Sequence, residues 1–81
     1  MTAKEMFEKL NYILYEENDI NISYRKYPDT KIDDLTYQEI FFNKQSQFIV
    51  IVEYNSEGME EKFTTLKELQ AINKQVEELG W

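Results

Sequence analysis

The chain's capacity for chemistry rests on carboxylates. Three acidic clusters stand out: Glu16, Glu17 and Asp19; Asp29, Asp33 and Asp34; and Glu57, Glu60 and Glu61. A magnesium site requires carboxylates that converge on one octahedral ion. Each cluster falls at a predicted turn, where solvated acids are ordinary, and the spacing gives no sign of convergence. Glu39 and Glu53 differ because they interrupt apolar strands. A carboxyl held among apolar side chains is desolvated, which is how general acids are made. If Asn43–Ser46 forms a four-residue loop, Glu39 faces Val50 on the side of Tyr37, Val52 and Tyr54. Shifting the pairing by one residue places it with Phe41, Ile49 and Ile51 instead. The plainer expectation is an edge glutamate paired to Lys or Tyr. No catalytic, cofactor-binding or metal-binding residue is assigned, and no cofactor is expected.

Other chemistries are excluded by composition. The chain has no histidine and no cysteine, which removes Ser-His-Asp and Cys-His mechanisms, thiolate nucleophiles and disulfides. Gly58 and Gly80 are the two glycines, too few for a phosphate-cradling loop. No D-x-D-x-D-G run is present for calcium.

The elements that position these residues follow from periodicity. With 81 residues, 42% apolar and 15% aromatic, the chain reads as one domain, residues 1–81. Thr2 and Glu5 have capping-box spacing, and Ala3, Met6, Phe7 and Leu10 share a helical stripe. Asn11 is a left-handed terminator. Tyr12–Glu16 reads as a short strand, with a continued helix to Tyr15 as the rival.

Ile20–Tyr27 alternates, with Ile20, Ile22 and Tyr24 on one face. Pro28-Asp29 breaks it, and Thr30–Asp34 is a polar loop. Leu35–Phe42 and Gln47–Tyr54 are two further strands. The run Phe48–Val52 belongs inside the sheet, since an edge this apolar would aggregate. After a turn at Asn55–Gly58, Glu60–Thr64 adds a short strand. A final helix starts with a second capping box, Thr65 and Glu68. It carries Leu66, Leu69, Ile72, Val76 and Leu79 on an apolar arc, with Gly80 at C′ and Trp81 at C″ covering Val76. The expected class is α+β: an N-terminal helix, an antiparallel sheet of three to five strands, and a C-terminal helix packed on the sheet.

These strands carry apolar residues on both faces. Two helices cover one face together or one face each. If both take one side, the other exposes an aromatic patch of the kind that marks a partner surface. Sheet aromatics also stack bases in RNA-recognition domains, but that family's aromatic-glycine strand motif and basic groove are missing. The balance of sixteen acids against nine bases, net charge −7, repels phosphates and anionic lipid. Direct nucleic-acid and membrane binding are therefore not expected. The charge also keeps a small, aromatic-rich chain in solution. The opening residues carry no long apolar region of the signal-peptide type. With the absence of cysteine, this favours a reducing cytoplasm.

The opening M-T-A-K-E-M-F-E-K-L-N-Y and the closing L-Q-A-I-N-K-Q-V-E-E-L-G-W resemble the ends of a group of small phage and prophage proteins of Gram-positive bacteria. The resemblance is limited to these two helical segments, and Asn11 stands where such proteins are expected to carry glycine. It implies a phage-related origin and expression in the cytoplasm of a bacterial host, and it supplies no activity. The resulting expectation is an accessory protein that acts by binding. Its partner would be a host or phage protein with a basic surface, such as a nucleic-acid-binding protein whose site the acidic domain occludes. The alternatives are a structural homodimer through the exposed sheet face and, third, an enzyme with a carboxylate-held metal. The chain would be a monomer or a homodimer.

Overall fold

The computed structural model describes residues 1–28, 36–55, 57–61 and 63–81, with residues 60 and 61 described by backbone alone. The elements run α1 (Ala3–Lys9), β1 (Ile13–Glu17), β2 (Asn21–Lys26), β3 (Tyr37–Asn43), β4 (Phe48–Asn55), β5 (Gly58–Glu61) and α2 (Leu66–Leu79). All strand pairings are antiparallel, in the order β1-β2-β3-β4-β5. The α+β architecture is the expected one. The predicted loop over 30–34, Leu35 and the middle of the turn at 56 lie outside the described residues.

Both helices start and stop by the same chemistry. At α1, Glu5 N–H donates to Thr2 Oγ1 at 3.2 Å and Thr2 N–H donates back to Glu5 Oε1 at 2.9 Å. At α2, Glu68 N–H donates to Thr65 Oγ1 at 3.1 Å and Thr65 N–H to Glu68 Oε1 at 2.9 Å. Each box satisfies two N–H groups that have no partner inside the helix. At the far end of α1, Asn11 takes φ 69 and Tyr12 N–H reaches Phe7 O at 3.0 Å. At the end of α2, Gly80 takes φ 76 and Trp81 N–H reaches Val76 O at 3.2 Å. These are Schellman turns. Asn11 thus does the work of a glycine, because its short polar side chain tolerates the left-handed region. In each turn the next residue is aromatic and folds back onto the core. Tyr12 meets the Phe7 ring edge-on, and Trp81 sits beside Phe42 as well as closing on Val76.

Both helices lie on one face of the sheet. The core joins Phe7 and Ala3 of α1, Ala71 and Ile72 of α2, and Ile22, Tyr24, Ile40 and Phe42 of the strands, with Ile49, Ile51, Val76 and Trp81 packed around it. Phe7 is the centre: it stacks on Tyr24 at 4.1 Å and meets Tyr12 and Phe42 edge-on. Ala3 and Ala71 have no exposed surface; small residues at both positions let the helices approach. The Ala3 N–H also donates to Glu78 Oε2 at 2.7 Å.

Several expectations need correction. Asn43 pairs with Phe48, so the β3–β4 loop is 44–47, and Glu39 faces Val52 instead of Val50. Asn43 extends the strand because its Oδ1 accepts from Gln45 and Ser46 N–H, and Gln47 absorbs the reversal at φ 54. A displacement of two residues preserves the face, so Glu39 keeps the side of Tyr37, Val52 and Tyr54. Ile20 is 46% exposed, outside the strand that was to bury it. The last strand runs Gly58–Glu61, so it starts earlier than expected, and Phe63 and Thr64 lie outside it. On α2 the buried residues are Glu68, Ala71, Ile72 and Gln75, while Leu66 and Leu69 are 71% and 41% exposed. Ile72, Val76 and Leu79 of the expected arc pack on the core, while Leu66 and Leu69 at its start do not, and Glu68 and Gln75 turn inward to take the hydroxyls of two core tyrosines. Tyr12 Oη donates to Glu68 Oε2 at 2.5 Å, and Tyr24 Oη to Gln75 Oε1 at 2.6 Å. Residues 68 and 75 are two turns apart and share one face.

Candidate functional site

The face of the sheet opposite the helices is the candidate site. Alternation along β2, β3 and β4 puts Ile22, Tyr24, Ile40, Phe42, Ile49 and Ile51 under the helices, so Arg25, Tyr37, Glu39, Phe41, Val50 and Tyr54 point the other way. No helix among the described residues covers that second face. Phe48, Tyr15 and Tyr27 are 45%, 50% and 44% exposed there. Ile13, opposite Arg25, and Met59, opposite Tyr54, extend the apolar surface to both edge strands.

One charged pair sits inside the aromatic surface. Arg25 and Glu39 are direct cross-strand neighbours, and Arg25 Nε donates to Glu39 Oε1 at 2.7 Å. Glu39 was expected at an edge with Lys or Tyr; it lies on the central strand with Arg. The Arg25 guanidinium is held between two rings, 3.4 Å from the Tyr15 centroid and 4.1 Å from that of Tyr37. Tyr15 reaches it because β1 bulges between Leu14 and Glu16, and a bulge re-aims a side chain. Tyr37 stacks on Tyr54 at 4.8 Å and contacts Tyr27 at 5.8 Å. Phe41 and Phe48 make a second ring pair at 6.2 Å. Burial among these neighbours, the largest cause, raises the Tyr37 pKa above its ordinary value of 10.0.

A guanidinium held by one carboxylate and two rings is pre-organised and its charge is balanced locally. The surrounding rings offer large, stiff contact area. The general-acid reading of Glu39 needs a carboxyl without a cationic partner, whereas Glu39 is ion-paired. Glu53 faces Gln38 on the helix side of the sheet. Glu16, Glu17 and Asp19 are exposed at the β1–β2 turn, and Glu57 is exposed at the next. Asp29, Asp33 and Asp34, and the side chains of Glu60 and Glu61, lie outside the described residues. Among the described residues no three acids are placed to hold a metal ion, and no helix is long and apolar enough to cross a membrane.

Sequence reasoning missed Arg25, the hub of this face. The available signal was its position in the alternation of Ile20–Tyr27, opposite the buried residues. Its partner depended on the β2–β3 register, which the sequence does not specify. No protein-family model, curated protein or solved structure matches the chain.

Proposed function

We propose that this chain is a non-catalytic protein-binding module whose working surface is the helix-free sheet face. The observation that carries this reading is the set of exposed apolar side chains on that face, Ile13, Tyr15, Tyr27, Phe48 and Met59, arranged around a centre in which Glu39 and Val52 are buried. A face of that kind marks a partner site, and Tyr and Arg dominate the residues that carry interface energy. Beside Tyr15, the exposed carboxylates of Glu16, Glu17 and Asp19 have no ion-pair partner among the described residues. The complementary partner presents an apolar patch bordered by Lys and Arg. In the phage setting implied by the terminal segments, it is a host or phage protein with a basic surface.

Affinity capture with the full chain, alongside a Tyr15→Ser/Phe48→Ser variant, tests this reading. The wild type should retain a basic protein whose binding weakens with salt, and the variant should lose it at least about tenfold. Equal capture by both proteins would overturn the proposal. A second reading, a homodimer through the same face, is favoured by the Arg25–Glu39 pair, because it leaves the centre of the face neutral toward an identical copy. Light scattering across a dilution series separates the two, since a monomer at high concentration removes the dimer.

A further inference from the structure

The helix layer carries a second unpartnered surface, unrelated to the sheet face. Where α1 ends and α2 begins, two open hollows of about 250 and 400 Å³ adjoin at Leu10 and Lys67, which line both, and are taken together as one trough. Met1, Met6, Leu10 and Leu66 supply its apolar lining. Met1 is 64% exposed and Leu66 71%. Leu66 is available because the inward-facing residues of α2 begin at Glu68, which takes the Tyr12 hydroxyl.

The charge of the trough is opposite to that of the molecule. Lys9, Lys26 and Lys67 border it, in a chain of net charge −7. None of the three is ion-paired among the described residues. Among the described residues Glu68 is the one carboxylate that lines it, and its oxygens accept from Tyr12 Oη and Thr65 N–H. An apolar floor with a cationic border matches one kind of ligand, a segment that combines apolar side chains with Asp and Glu. The rest of the surface repels an anionic membrane or a nucleic acid, and the open shape suits a peptide more than an enclosed small molecule.

We propose that this trough docks an acidic amphipathic helix or extended segment of another protein. The apolar side chains of that segment rest on Met6, Leu10 and Leu66, and its carboxylates meet Lys9, Lys26 and Lys67. This surface is independent of the sheet face, so either assignment stands without the other.

A random peptide library selected on the full chain tests the proposal. The enriched peptides are synthesised, fluorescently labelled and titrated by anisotropy. Enrichment should favour Leu, Met or Phe at helical spacing together with Asp and Glu. Binding should weaken at least about tenfold for Lys9→Glu/Lys67→Glu and fall for Leu66→Ser, an exposed position where folding is not at risk. It should be unchanged for Phe48→Ser on the opposite face. The absence of enrichment, enrichment of peptides without acids, or equal binding to the charge-reversed chain would each overturn the proposal. Loss of binding on Phe48→Ser would do the same, because it would move the peptide to the sheet face.

Discussion

The two faces of the sheet come from the same strands and are spent differently. Under the helices, rings are interlocked: Phe7, Tyr12, Tyr24 and Phe42 meet at centroid distances from 4.1 to 6.4 Å, and Tyr12 and Tyr24 hand their hydroxyls to polar side chains of α2. On the far face the rings form a layer one side chain deep. Tyr37 lies against Tyr27, Tyr54 and Arg25, and Tyr27 keeps 44% of its surface in water. The covered face is therefore where stability is concentrated, because burial scales with area removed from water. The open face keeps apolar area in contact with water, at Ile13, Tyr15, Tyr27, Phe48 and Met59. Alternation along a strand makes this division of labour available to any sheet with apolar residues on both sides.

The largest test of the contrast is Phe7→Ala. Phe7 is wholly buried at the centre of the ring cluster, and its truncation should cost about 3–5 kcal/mol. In a domain this small that removes most of the folding free energy. Chemical denaturation followed by Trp81 fluorescence reads it, since this sole tryptophan sits half-buried beside Phe42.

Next comes alkaline pH. Burial is the first cause raising the pKa of both Tyr12 and Tyr24 above the ordinary value of 10.0, and Glu68 adds to it at Tyr12 while Glu17, Glu78 and Glu8 add to it at Tyr24. Above pH 10 the unfolded chain releases phenolic protons that the folded chain retains. Stability is thus fully present below that pH and falls as pH rises, by about 1.4 kcal/mol per pH unit for each tyrosine. Denaturation midpoints measured between neutrality and pH 11 should bend downward near 10, and a Tyr24→Phe variant should bend less. A variant with an unchanged slope would break the claim that this hydroxyl is sealed.

Tyr12→Phe sharpens the contrast from the polar side. It leaves the buried Glu68 without the phenol that donates to it, at a cost of about 1–3 kcal/mol. The loss should appear in the denaturation midpoint with no change in the dependence on denaturant. The smallest effect belongs to the open face. Phe48→Ala should change stability by less than about 1 kcal/mol, because Phe48 keeps 45% of its surface in water. A loss as large as that of Phe7→Ala would show that the two faces share the load, and would remove the reason to regard the far one as a binding surface.

Local chemistry was legible in the linear chain. Both capping boxes, the left-handed ends at Asn11 and Gly80, the strand runs and the placement of Phe48–Val52 inside the sheet follow from side chains acting on backbone within a few positions. What they lacked was registration between distant segments. A four-residue loop was read correctly in length, yet it sat one residue early, because nothing in Asn43–Gln47 announces which residue absorbs the positive φ. The candidate site was legible only as a conditional: aromatics on both faces and two helices with two ways to share them.

The amino-acid order by itself determined that this is an acidic α+β domain without histidine or cysteine, with two capped helices around aromatic strands, since those properties depend on composition and short-range spacing. The tertiary structure alone decided that both helices take the same face, that Glu68 and Gln75 turn inward at the expense of Leu66 and Leu69, and that Arg25 finds Glu39, Tyr15 and Tyr37. The physical reason is that each of these choices balances buried hydroxyls, ring packing and charge among residues brought together by strand register and helix rotation, quantities that no local pattern contains.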